Sequence, residues 1–175
     1  MLKVHTNYYL AAVIAGFSLN ILLGIITSFI AREHSSDVIA WQSAQMIPGM
    51  ILTITICVLW YRAWTLLQAG DVMTTPGKAV GFLFIPIFNL YWLFKVSYGF
   101  ATTYNKLFVK GVEESNSLST GIFIVYPAYF IILSILSLTP LAMTMFWPVF
   151  LGVAMVITIM LVRTVCGAIN KQATE

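Results

Sequence analysis

The stretch AVGFLFIPIFNLYWLFKVSYGF, residues 79–100, decides how this chain is arranged in three dimensions. It is apolar and aromatic enough to enter a membrane, but Pro86 and Asn89 fall where a spanning helix would be in mid-bilayer, and Lys95 follows them. The apolar run before Pro86 is shorter than the roughly 20 residues that a crossing needs, and a proline disfavours helix at the residue before it. The stretch is therefore predicted to dip into the bilayer or to lie on its surface.

The composition of the whole chain calls for a membrane around it. Of its 175 residues, 60% are hydrophobic and only 9% are charged, against about 25% charged residues in soluble domains. So few charged side chains cannot cover a water-soluble surface of this size. The chain is therefore predicted to form a single integral membrane domain, residues 1–175. Its net charge of +3 and the absence of a basic arm argue against nucleic-acid binding.

Four apolar segments are long enough to be predicted as crossings: residues 8–29, 39–67, 121–138 and 141–162. The first lacks the small-residue cleavage site of a secretory signal and is expected to stay as an anchor. Thr139 and Pro140 alone separate the last two, and they suit the cap and first position of a helix. The predicted fold is an all-α, four-transmembrane-helix bundle. A re-entrant or interfacial amphipathic segment, residues 79–108, lies between the second and third crossings.

The basic residues predict the orientation, because cytoplasmic loops collect lysine and arginine. If residues 79–108 do not cross, only Arg32 lies opposite the termini, and the other basic residues share their side: Lys3, Arg62, Lys78, Lys95, Lys106, Lys110, Arg163 and Lys171. A fifth crossing would move Lys106 and Lys110 to the far side and weaken this bias. Both termini are therefore predicted to be cytoplasmic, with residues 31–38 as the main external loop.

The second half of the opening stretch has the pattern of an amphipathic helix. Polar residues recur near helical spacing from Asn89 onward, at Lys95, Thr102, Asn105 and Lys106, and apolar residues fill much of the rest. Aromatic rings and lysines suit the depth of the lipid headgroups. An interfacial helix is therefore predicted here, with the Asn89 side chain available to the carbonyls that Pro86 leaves free.

One block of the sequence, WYRAWTLLQAGDVMTTPGKAVGFLFIPIFNLYWLFKVSYGFATTYNK at residues 60–106, resembles a known group. It is similar to the central block of small bacterial multi-span membrane proteins classed as domains of unknown function. These share a YRAW helix end, a TTPGKAVGFLFIP turn and an FNLYW helix start. The resemblance implies a bacterial inner membrane and implies no activity.

Small residues mark a predicted packing face on the first crossing. They repeat every four residues, which permits close approach of a neighbouring helix: Ala12, Gly16, Asn20, Gly24 and Ser28. The second crossing offers a matching row at Gln45, Gly49, Thr53 and Cys57, and the two faces are expected to meet. Leucine at Gly16 or Gly24 should then disrupt packing, whereas Val13→Leu should be tolerated.

The sequence carries no arrangement of residues that is typical of catalysis. His5 and His34 flank the first crossing, which places them roughly 40 Å apart on a helix. Cys57 and Cys166 have no metal-binding spacing and are predicted to stay reduced. Phosphate-binding glycine loops, serine-elbow motifs and paired intramembrane carboxylates are absent from the sequence. The prediction is a protein that is not an enzyme, with no catalytic or metal-binding residues and no cofactor.

Basic and aromatic side chains are the predicted contacts with lipid or a partner: Arg62, Lys78, Lys95, Lys106, Tyr91 and Trp92. Arg62 is also expected to form an interfacial anchor with its aromatic neighbours Trp60, Tyr61 and Trp64. The alternative is a headgroup or anionic-ligand site made by Arg62, Lys78 and Lys95.

Three functions remain as hypotheses. The leading one is a non-catalytic accessory or structural subunit of a membrane complex, or a lipid-interacting element. Its partners would be membrane lipids and other membrane subunits or further copies of itself. The second is a small channel or carrier for a neutral solute, whose path the polar stripe of the first crossing could line in an oligomer. Ionisable residues inside the crossings, typical of coupled carriers, are missing from the sequence. The third is a site for a quinone or other apolar ligand under a ring-rich segment: Phe82, Phe84, Phe88, Tyr91, Trp92 and Phe94.

Overall fold

The computed structural model describes residues 3–33, 38–68, 70, 72, 74–109, 117–138 and 147–174, without the side chains of residues 28, 30–33 and 38–42. The regular structure in these ranges is entirely helical, which confirms the all-α prediction for this part of the chain. The helices are α1 (Thr6–Glu33), α2 (Val38–Leu67), α3 (Pro76–Gly81), α4 (Phe88–Phe108), α5 (Gly121–Leu136) and α6 (Trp147–Gln172). A 3-10 turn, Phe82–Phe84, follows α3.

Three helices of the described part are long and apolar enough to cross a membrane: Thr6–Thr27, Ser43–Leu67 and Trp147–Gln172. The predicted third crossing corresponds to α5, which has 16 residues. Such a helix is about 24 Å long, less than the roughly 30 Å of the hydrocarbon core. The last helix ends at Gln172 rather than at the predicted Val162 and carries Arg163 on an exposed face. The predicted turn at Thr139 and Pro140 lies outside the described residues, as do His34 and Lys110.

The large buried side chains gather at one end of the bundle. The core there contains Trp60 and Trp64 from α2, Phe100 and Tyr104 from α4, Phe123 from α5, and Leu161 and Val165 from α6. Elsewhere the long helices expose apolar side chains, among them Ile14, Leu22, Met50, Ile54, Val156 and Met160. This distribution fits a bundle whose outer surface meets lipid, because lipid tails are as apolar as these side chains.

Two asparagine side chains fasten the elements at the core end. Asn170 of α6 accepts from the Val4 N–H at 2.7 Å and donates to the Val4 carbonyl at 2.9 Å. Asn105 of α4 binds Leu118 in the same way, at 2.8 and 2.9 Å. The start of α1 therefore lies against the end of α6, and the end of α4 against the start of α5.

The chain reverses between α3 and α4. Pro76 occupies the first turn of α3, behind the Thr75 cap. Ile87 then adopts a φ of 66°, and the Phe88 N–H donates to the Pro86 carbonyl at 2.7 Å. This i to i+2 bond makes a γ-turn of the strained, positive-φ kind, in which a β-branched residue is an outlier. We call residues 76–108 the hairpin and residues 84–88 its tip.

A side chain of α4 ties the return helix of the hairpin to α3. The indole N–H of Trp92 donates to the Ala79 carbonyl at 3.0 Å, which holds the two limbs together. The backbone N–H of Asn89 donates to the Ile85 carbonyl at 2.9 Å. The backbone of Asn89, rather than the side chain considered from the sequence, therefore binds a carbonyl near the break.

The apolar face of α4 packs on protein instead of lying free on lipid. Val96, Ser97, Phe100 and Ala101 have no exposed surface. The Phe100 ring lies 5.9 Å from the ring of Trp60, edge to face, and 5.9 Å from that of Phe123. α4 is therefore packed into the helical bundle through this face, because α2 and α5 present aromatic surface that fits it.

Candidate functional site

A cavity of about 470 Å³ lies between five of the helices and the hairpin tip. Its described lining residues are all uncharged and come from α1, α2, α4, α5, α6 and the 3-10 turn. Most are apolar, such as Phe17, Leu52, Leu93 and Phe130. The polar ones are Asn20, Thr53, Cys57, Asn89, Tyr126, Ser134 and Thr158. The volume falls within the usual range for small-molecule sites, which are apolar with a few polar groups.

The three serine and threonine hydroxyl groups in the lining have already used their protons. Thr53, Ser134 and Thr158 each donate to the carbonyl four residues earlier in their own helix, at 2.9, 2.8 and 2.7 Å. A hydroxyl has one proton and two lone pairs. These three oxygens can therefore offer only acceptor capacity to a bound molecule.

Two amides add neutral polar groups to the cavity. Asn20 donates one N–H to the Gly16 carbonyl at 3.0 Å, which leaves its side-chain oxygen and its second N–H. The side-chain amide of Asn89 makes no hydrogen bond to another described residue. Together with the hydroxyl oxygens, these groups suit a neutral molecule that carries hydroxyl or amide hydrogens and is otherwise apolar.

The first two helices pack closely along part of the predicted stripe. A Cβ atom added to Gly16 would lie 2.7 Å from the Leu52 side chain of α2, and Gln45 donates to the Thr27 hydroxyl at 2.9 Å. Gly24 and Gly49 have open space instead, since an added Cβ meets nothing within 4 Å. Ala12 and Asn20 are half-buried, and the side chain of Ser28 is not among those that the structure describes.

Val13, where leucine is expected from the sequence to be tolerated, lies in the core of the bundle. Val13 has no exposed surface, and Phe17, one turn further along, is also buried. Successive residues on a helix are about 100° apart, so Val13 and Gly16 both fit within one broad buried face. The four-residue repeat in the sequence marks the small residues of this face but not the large ones.

The predicted lipid contacts lie at separate places. Lys78 and Lys106 are exposed, on α3 and near the end of α4. Lys95 is half-buried, with Nζ 5.7 Å from the centre of the Tyr91 ring. Trp92 is held by its bond to Ala79. Arg62 lines a different groove, together with other residues of α2, with Val4 before α1 and with Ile169 of α6. Lys78 and Lys95, which the sequence grouped with Arg62, do not line this groove.

The predicted aromatic anchor around Arg62 is wrong in two of its three members. Trp60 and Trp64 are fully buried in the core, whereas Tyr61 is 52% exposed. Residues 60 and 64 share one helix face, and residue 62 points away from it. The indole N–H groups of both tryptophans and the Ser97 hydroxyl are buried without a hydrogen-bond partner in the described part of the chain.

Metal-binding and redox groups are sparse where the structure is described. No group of three or more His, Cys, Asp or Glu side chains comes together among these residues. Cys57, which lines the cavity, and Cys166, which is buried, are free thiols. His5 packs its ring 5.3 Å from that of Tyr8.

No protein-family model, curated protein or solved structure matches this chain. What the cavity can hold follows from its own size, lining and charge. These features favour a small, neutral and largely apolar molecule.

Proposed function

We propose that this chain is a non-catalytic lipid-interacting membrane protein whose central cavity holds a neutral, mostly apolar ligand of the lipid type. The observation that carries the proposal is the uncharged cavity between the hairpin tip and the long helices. Such a ligand would bury its hydrocarbon part against Phe17, Leu52 and Leu93. Its hydroxyl or amide hydrogens would bind the acceptor oxygens of Asn20, Thr53 and Thr158.

The proposed setting is a bacterial inner membrane crossed four times, with the hairpin re-entering from the cytoplasmic side. Two observations support it. Residues at the start of α4, Asn89 and Leu90, line the same cavity as Asn20 and Thr53, which lie in the middle of the first two crossings. The tip is apolar and open, with Ile87 85% exposed, as a segment in contact with lipid tails would be.

Cysteine accessibility tests the re-entrant topology in a background where Cys57 and Cys166 are alanine. A cysteine at Lys106 should react with a membrane-impermeant thiol reagent from the cytoplasmic side only. A cysteine at Ile87 should be protected from both sides, because the tip lies within hydrocarbon. Labelling at position 106 from outside the cell would instead make the hairpin a crossing, and labelling at position 87 from the cytoplasm would place the tip at the surface.

Retention of lipid through purification tests the ligand proposal. Gly49 lines the cavity, and an added Cβ there has open space, so Gly49→Leu should fill the cavity without a clash. Native mass spectrometry in mild detergent should show bound lipid on the wild-type protein. The variant should bind it about tenfold more weakly, since a blocked cavity forgoes the burial of about two methylene groups at about 0.8 kcal/mol each.

The matched control for this experiment is Gly152→Leu. Gly152 is a helical glycine of α6 with equally open space, and it is absent from the cavity lining. We expect this variant to retain lipid as the wild type does. Equal retention by all three proteins would contradict a ligand in the central cavity.

A neutral-solute carrier is the second candidate, and the two amides, Asn20 and Asn89, favour it because they give one cavity two polar positions. Uptake of a neutral solute into proteoliposomes that Gly49→Leu abolishes would support it. The quinone site has less support. The centroid of the Trp92 ring lies 4.9 Å from that of Phe82 and 5.5 Å from that of Phe88, so these rings already pack against one another where a quinone would have to stack.

A further inference from the structure

We infer that a second groove, at the core end of the bundle, binds one anionic phospholipid with Arg62 on its phosphate. The groove measures about 450 Å³ and lies where α1 begins and where α2 and α6 end. Its walls include Val4, Val58, Tyr61, Arg62, Leu66 and Ile169. It is separate from the central cavity, and the inference does not depend on a ligand there.

The walls of the groove are built to stay in place. Val4 belongs to the short segment before α1, which would hang free without a partner. The two hydrogen bonds between the Val4 backbone and the Asn170 side chain, at 2.7 and 2.9 Å, hold this segment against α6. Ile169 is the neighbour of Asn170 and is buried, as is Leu66 on α2. The groove therefore has fixed apolar walls and can receive part of an acyl chain.

The outer edge of the groove is open at the surface of the bundle. Val58 is 42% exposed and Tyr61 is 52% exposed. Tyrosine favours the depth where apolar tails meet polar headgroups. Val58 precedes Arg62 by one turn of α2. An acyl chain that lies along the Val58 side chain would therefore bring its headgroup to the guanidinium of Arg62.

Arg62 gives the groove a positive charge, and its side chain is exposed. A guanidinium offers a planar pair of donors that matches two phosphate oxygens.

The apolar walls select a phospholipid over a free anion. An exposed cation in water gains little from one phosphate, since exposed ion pairs contribute about 0–1 kcal/mol. A phospholipid adds burial of its hydrocarbon against Val58, Leu66 and Ile169 to that weak charge contact. Binding of the phospholipid therefore requires both Arg62 and the apolar wall. Substitutions can remove each of the two separately.

The test measures how strongly the full-length protein prefers phosphatidylglycerol over phosphatidylcholine, by native mass spectrometry after reconstitution in mixed nanodiscs. Arg62→Gln should lower this preference about fivefold, as expected for one basic group beside an anionic lipid. Arg163→Gln removes another exposed charge, on α6 and outside the groove, and should leave the preference unchanged. An unchanged preference in Arg62→Gln, or an equal loss in Arg163→Gln, would overturn the inference.

A second pair of variants tests the apolar wall while Arg62 stays. Val58→Trp should fill the groove and lower the preference to the level of Arg62→Gln. Ile54→Trp, one turn earlier on the same exposed face and outside the groove, should have no effect. An excess of inorganic phosphate should not displace the lipid from the wild type. Displacement, or full preference in Val58→Trp, would show that Arg62 binds the anion alone and would overturn the phospholipid site.

Discussion

Replacing Phe100 with alanine is expected to lower the free energy of unfolding by about 3–5 kcal/mol. The Phe100 side chain is fully buried and touches the rings of Trp60, Tyr104 and Phe123. Its removal would leave a cavity among three rigid aromatic side chains, which cannot collapse to fill it. Reversible unfolding in detergent micelles, followed by tryptophan fluorescence, measures the loss.

The control for Phe100 is Tyr98, which lies on the same helix and is 44% exposed. Tyr98→Ala should change the free energy of unfolding by less than about 1 kcal/mol, the usual range for exposed positions. If Phe100→Ala cost as little as Tyr98→Ala, α4 would be a helix resting on lipid, and its place within the bundle would be wrong.

Leucine at Gly16 is expected to destabilise the bundle by about 3 kcal/mol, the upper part of the range for overpacking. The first atom of any side chain there would lie 2.7 Å from two atoms of Leu52 on α2. Both α1 and α2 would have to separate, and the hydrogen bond from Gln45 to Thr27 would be strained with them. Thermal stability of the purified protein in detergent gives the readout.

Gly24 supplies the matched position for this substitution, two turns along the same helix. An added Cβ at Gly24 meets nothing within 4 Å, so Gly24→Leu should be tolerated, contrary to the expectation from the sequence stripe. A loss of stability as large as that of Gly16→Leu would mean that α1 and α2 pack along the whole stripe.

The helices and their interruptions are largely determined by local sequence. Apolar runs near the length of a bilayer predict α1 and α2, and α4 begins at Phe88, one residue before the predicted Asn89. Proline acts locally, because it lacks an N–H and restricts the residue before it. The interruption around Pro86 could therefore be read from the sequence, although the positive φ of Ile87 could not.

The candidate site could not be predicted in the same way. Its lining joins residues that are far apart in the sequence, such as Asn20, Asn89 and Thr158, and no local pattern marks them as neighbours. Arg62 was selected for its charge, but its groove depends on Val4 and Ile169, at opposite ends of the chain. The clamp between Val4 and Asn170 is likewise visible only in the folded protein.

The amino-acid sequence by itself determined that this is a membrane protein of apolar helices and where those helices are interrupted. Only the tertiary structure decided which apolar side chains face protein and which face lipid. In water the hydrophobic effect would mark the inner face of each helix, but lipid tails are as apolar as a protein core. Val13, Trp60 and Phe100 therefore look in the sequence like side chains for lipid. The close fit of neighbouring helices, which composition does not encode, makes them the core.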